Sequence, residues 1–203
     1  MICTARDMNQ CSTGRIMFHA NTQRLIEEWG RQRGAAGGLP ARTSISPVAF
    51  GPLLPQLFIL GVEPDGVEAF RLAGGLLADL HGRDLRGADF FRLWRSEDRD
   101  RLSAALMTAR QTGAILVVTA NAATVTGQGI DLEIALAPLT GATGEADRII
   151  GLYQPISLTR QLIGKPVSQL AVRKLDIVGD AHDTPRRHRL HLKLVVDNTR
   201  RVA

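Results

Sequence analysis

Chemistry needs side chains that ligate, attack or move protons, and this chain gathers few of them. Its two cysteines, Cys3 and Cys11, both lie in a polar leader and are read as free thiols rather than a bridge. No CxxC or HExxH spacing offers a metal site. Three of the five histidines (His182, His188, His191) sit in a basic C-terminal stretch, where a solvated charge run is the plain reading. Gly34-Ala35-Ala36-Gly37-Gly38 lacks the Lys-Ser/Thr ending of a phosphate loop and runs into Leu39-Pro40, not into a helix. Asp98 and Asp100 alternate with Arg99 and Arg101 at a helix start, which reads as an ion-paired surface. No carboxylate pair or Ser/His/Asp set stands at a catalytic spacing, so a non-enzyme is expected.

Charge is unevenly placed. Of the formal +5, all falls from Gly164 onward, where nine Lys/Arg face four Asp; residues 1–163 carry 16 of each sign. The basic cluster Arg186, Arg187, Arg189, Arg200 and Arg201 suits loose, salt-sensitive contact with an anionic surface. It has no aromatic residues and no reading helix, so nucleic acid is not the expected partner. No apolar run reaches the roughly 18–20 residues that span a bilayer. The N-terminus has no continuous apolar signal core, which predicts a cytoplasmic protein.

The elements that would position any site are organised around residues 114–156. Ile130, Leu132, Ile134 and Leu136 alternate with Asp131, Glu133, Ala135 and Ala137, the period of a strand with one buried face. Turn-like gaps at Gly127-Gln128-Gly129 and Thr140–Asp147 mark off a three-stranded antiparallel meander. Upstream, Gln56–Pro64 and Val67–Gly74 read as the two strands of a hairpin, with Glu63-Pro64-Asp65-Gly66 as its turn. Between hairpin and meander come a short helix near Leu76–His81, another expected to end near Trp94, and a longer one over Ser96–Arg110. The longer helix carries the stripe Leu102, Ala105, Leu106, Ala109. Ser46 and Pro47 open a short helix that Pro52 and Pro55 break.

The expected divisions are a disordered leader (1–20, with Met17 an alternative start), an N-terminal helix and linker (21–45), a domain (46–160) and a basic, largely unstructured tail (161–203). A short helix is expected within Leu158–Leu175, and LHLKLVV (190–196) would form a strand only on finding an edge. The N-terminal helix, capped by Asn21 and running to Arg33, bears a narrow stripe of Leu25, Ile26 and Trp29. That stripe is read either as packing on the domain's outside or as the interface of a homodimer.

Several pieces recur in a characteristic order: Trp29 with Arg31 and Arg33, Leu39-Pro40-Ala41-Arg42, Pro55–Val62, Phe70-Arg71-Leu72-Ala73-Gly74, Gly82-Arg83-Asp84-Leu85-Arg86-Gly87, and Leu93-Trp94. In this the chain resembles the PAS fold, and more narrowly the PAS-like family of bacterial proteins that carry little besides this domain. The resemblance implies an α+β fold, a five-stranded antiparallel sheet with the helices between strands two and three over one face. It implies a sensory or protein-interaction module in signalling or cell-cycle control, commonly dimeric.

A PAS domain can hold a cofactor between sheet and helices. Covalent flavin photochemistry needs a thiol where this chain has Leu85, so it is excluded on sequence. Haem needs an axial ligand, and the helix from Glu97 to Gln111 has no histidine. His81 is expected to be a surface or helix-capping residue. No cofactor is expected. The alternative is a small apolar ligand in a cavity lined by Leu76, Leu80, Phe90, Leu102, Leu106 and Ile134, with Arg71 the polar group to watch: inward it would need an anion, outward it would be ordinary.

Overall fold

The turn residues act where they stand in the sequence. In the computed structural model, which describes residues 17–157, 159–162 and 164–179, Gly66 adopts a φ of 84°. Its N–H donates to the Glu63 carbonyl at 2.9 Å, closing the hairpin of β1 (Leu57–Val62) and β2 (Glu68–Ala73). Pairing is not uniform along it. Ile59 faces Leu72 but Leu60 faces Phe70, so Arg71 is an extra residue on β2. A bulge re-aims the side chains beside it. Phe70 enters the core, whereas Arg71 and Leu72 are both exposed.

The meander forms as its alternation predicts. β3 (Ile115–Thr124), β4 (Gly129–Leu139) and β5 (Arg148–Pro155) are antiparallel neighbours, and β5 joins β1. The sheet has six strands, one more than expected, in the order β2-β1-β5-β4-β3-β6. The sixth, β6 (Val167–Val178), lies where a short helix and unstructured tail were expected, and pairs with β3 from Ile115↔Val178 to Thr124↔Val167. Two register shifts interrupt that ladder, so no simple alternation marks it in the sequence. The 190–196 segment and the five arginines of the basic cluster lie outside the described residues.

One face of the sheet is roofed by α2 (Gly75–His81), the turn Phe91–Leu93 and α3 (Ser96–Thr112). The side chains of Ile130, Leu132, Ile134 and Leu136 enter this core. Gly87–Phe90, expected to be helical, instead runs irregularly along the outer edge of β2, with Phe70 N–H bonded to Ala88 O at 3.0 Å and Phe90 N–H to Glu68 O at 2.8 Å. It thereby covers backbone groups that an edge strand would leave open.

The opposite face is covered as well, which one-sided alternation did not predict. α1 (Ala20–Ala36) starts at His19, whose Nδ1 accepts from Asn21 N–H at 3.1 Å. The Ala135 and Ala137 positions of β4 are small enough for the helix to approach, and they share a second core with Leu25 and Trp29. Trp29 Nε1 donates to Pro138 O at 2.8 Å, and Asn21 Nδ2 to Gln154 Oε1 at 2.8 Å. Leu25 and Trp29, read either as packing on the domain's outside or as a dimer interface, are 0% and 1% exposed because they pack on the chain's own sheet; Ile26 borders the same core. Among the described residues no helix is long and apolar enough to cross a membrane.

Candidate functional site

The interior between roof and sheet is where the apolar pocket residues were expected, and they do converge there. Leu80, Phe90, Leu102, Leu106 and Ile134 are buried in one cluster, with Leu76 at its margin. Rings fill the middle of it. Phe58 lies 5.5 Å from Phe70, 6.2 Å from Phe90 and 6.2 Å from Tyr153, centroid to centroid. Phe90 continues the cluster to Trp94 at 5.8 Å. The outer end of the Phe58 ring occupies the space over Gly151 of the next strand: a Cβ there would fall 2.0 Å from Phe58 Cζ. Leu85, in the Gly-Arg-Asp-Leu-Arg motif, is also fully buried.

Two polar features enter this interior. His81, expected at the surface, is 6% exposed and places Nε2 3.1 Å from the Tyr153 hydroxyl. Burial, with the Arg83 charge adding to it and a Val167 backbone contact opposing, pushes its pKa down to about 4. Burial also holds the Tyr153 hydroxyl well above its usual range. The spacing Leu77, Leu80, His81 is the i, i+3, i+4 stripe of an inward helix face, and that signal places the histidine inside. Near the rings, Trp94 Nε1 is buried without a hydrogen-bond partner among the described residues.

Arg71 does not join this interior. It lies on the other face of the sheet with Nη2 3.0 Å from Glu63 Oε1. There α1 packs on β4 and β5, while Leu72 at the β1–β2 end stays exposed. A small apolar groove of about 200 Å³, lined by Ile45, Phe50, Leu54, Ile59, Leu72 and Ile150 among others, remains at that end. It runs into a wider cleft of about 660 Å³ that Arg42, Arg71 and Arg148 line. Arg42 stands out in the sequence only as part of the Leu39-Pro40-Ala41-Arg42 motif, and Arg148 not at all, because it reaches the cleft only through the register that sets it opposite Gly61.

An antiparallel sheet roofed on one face by helices that lie between its second and third strands is the PAS-type sensory fold. Residues 17–154 match the family described as a PAS domain, and the chain belongs to that family. Among solved structures it is similar to the Rhodobacter sphaeroides LOV protein, with 17% identity over 53% of this chain and 62% of that one, TM-score 0.42. The match thus spans less than two thirds of that protein's own length. It is also similar to the dark structure of the blue-light photoreceptor Aureochrome1 LOV (14% identity, 59% of this chain, 91% of that chain, TM-score 0.43). A third is the PAS domain of a protein from Colwellia psychrerythraea (13% identity, 49% and 86%, TM-score 0.39). No curated protein matches.

Proposed function

We propose that this chain is a non-enzymatic PAS module of bacterial signalling or cell-cycle regulation that works through protein contacts, as a homodimer. The observation that carries the reading is the filling of the roofed interior by Phe58, Phe70, Phe90 and Tyr153. Rings packed 5.5–6.2 Å apart, centroid to centroid, support an interior held by its own side chains, with the signal exchanged at the surface. The residues fit a covalently reacting flavin poorly: Leu85 stands where the thiol is needed, and Cys3 and Cys11 are the chain's only cysteines. A homodimer does not recruit Leu25 and Trp29 while α1 stays docked, since both are buried in the chain itself.

Native mass spectrometry and light scattering on protein purified from its own cells test both halves. The expected result is a dimer mass with no small molecule retained in the interior. A monomer at high concentration would remove the dimer, and a stoichiometric apolar ligand released only on unfolding would remove the filled-interior argument.

A further inference from the structure

The open end of the sheet's outer face combines two features that are separately ordinary. The first is cationic. The position that a Cβ would take on Gly61 lies 2.9 Å from Arg71 Nε and 3.1 Å from Arg148 Nη1, so both guanidiniums crowd over one glycine. A side chain there would displace them. Like charges this close repel unless acids or an anion offset them. Each has one carboxylate: Glu63 for Arg71 at 3.0 Å and Asp147 for Arg148 at 2.7 Å. Those acids line a neighbouring cleft with Val62, Pro64, Glu145 and Arg71 itself. The cleft shared by Arg71 and Arg148 adds Arg42, Thr43 and Thr140 and has no acidic residue in its lining. Arg42 is exposed and its guanidinium has no partner among the described residues. The three acids, Glu63, Glu145 and Asp147, thus stand on the adjoining side, while the lining of this cleft itself carries three arginines.

The second feature is apolar. Ile59 and Leu72 form the floor of both the cationic cleft and the adjoining 200 Å³ groove. Leu72 is 47% and Leu54 44% exposed, although each stands beside a groove wall that would shelter it if something lay there. The bulge at Arg71 produces this pairing by turning Arg71 and Leu72 to the same face. The groove falls below the roughly 300–1,000 Å³ of sites that take drug-sized ligands, so its occupant is narrow and short.

We propose that this face binds an amphiphile with an anionic head and a short alkyl tail, the head on Arg42, Arg71 and Arg148 and the tail over Ile59 and Leu72 into the groove. A guanidinium cluster meets a carboxylate or phosphate through charge-assisted, two-pronged hydrogen bonds. The same chemistry comes from a free carboxylate amphiphile or from the edge of an anionic membrane.

Octanoate, titrated into the full ¹⁵N-labelled chain, is the probe. Saturable amide shifts confined to Arg42, Ile59, Leu72 and Arg148 are expected, and octylamine, which carries the opposite charge, should produce none. Arg42→Ala removes an exposed, unpartnered head and should weaken octanoate about tenfold, the loss of one charge-assisted contact. Leu72→Asp, at a half-exposed position, should abolish binding without unfolding the sheet. Sedimentation with phosphatidylglycerol vesicles separates the sources: pelleting that Leu72→Asp abolishes assigns the site to a lipid headgroup, and octanoate binding without pelleting assigns it to a free amphiphile. Equal response to octylamine, unchanged affinity in both variants, shifts centred on Tyr153, or no saturable binding of octanoate or vesicles would each overturn the proposal.

Discussion

His81 Nε2 and the Tyr153 hydroxyl meet at 3.1 Å, joining the last residue of α2 to the centre of β5 beneath the roof. The imidazole is held neutral there, with its pKa lowered from 6.5 to about 4. A group whose folded pKa is depressed contributes stability above its unfolded pKa, and loses it as pH falls toward the folded one. The unfolded chain takes up a proton near pH 6.5 and the folded chain only near 4, so the window is pH 6.5 down to 4. About 2 kcal/mol should be lost between pH 7 and pH 5, from roughly 1.4 kcal/mol per pKa unit. Urea midpoints at the two pH values measure this. His81→Gln, which does not titrate, should remove His81's share of the slope; an unchanged slope in that variant would rule the histidine out as its source.

Glu68 and Arg110 tie β2 to the last turn of α3. Arg110 Nη2 donates to Glu68 Oε2 at 2.9 Å and Nη1 to Oε1, with the side chains 8% and 15% exposed. A pair this sheltered costs more to break than to replace. Arg110→Met alone should cost about 3 kcal/mol by leaving the Glu68 carboxylate unpaired. Glu68→Leu combined with Arg110→Met should recover much of that. A double-mutant cycle by urea unfolding decides it, and additive losses would show that the two groups do not act as a pair.

Trp29 holds α1 by both area and polarity. Its indole is 1% exposed, bonds Pro138 O, and has the Arg33 guanidinium 5.3 Å above its ring. Trp29→Phe should cost about 1 kcal/mol for the lost hydrogen bond. Trp29→Ala should cost about 3 kcal/mol or more because a cavity opens against Ala135 and Ala137. Since the indole faces its own sheet, Trp29→Phe should leave the molecular mass in solution unchanged. A shift from dimer to monomer in that variant would mean that the helix docks across two copies.

Gly151→Ala tests the ring packing of the roofed side. The new methyl would meet Phe58 at 2.0 Å, and an overpacked core loses about 1–3 kcal/mol. A variant as stable as the parent would indicate spare room beside Phe58, and would reopen the question of an interior ligand.

Local patterns show in a sequence when one physical constraint acts alone. Ile130 to Leu136 alternate because that side of β4 faces only the roof, and the Ser96–Thr112 helix reads clearly because its acids, stripe and terminal Gly113 agree. Where two constraints overlap, the pattern blurs. Ala135 and Ala137 look like neutral outward residues until α1 is seen on top of them. Val167 and Leu170, three apart, suggest a helical turn, yet both reach the core from β6 because register shifts reset its pleat. The open site was hidden for the same reason. Arg71 was noticed, but the bulge that sends it outward and the cross-strand partner that brings Arg148 beside it depend on pairings distant in the chain.

The sixth strand changes what a shortened version of this protein would be. Ending the chain at Ser157 would strip β3 of its neighbour along ten positions and remove Leu170, whose carbonyl receives Arg95 N–H at 2.9 Å. Bare N–H and C=O groups on a long apolar strand invite pairing with another molecule. Such a fragment would self-associate through a surface that the intact chain keeps closed, and its assemblies would report on the cut rather than on the protein.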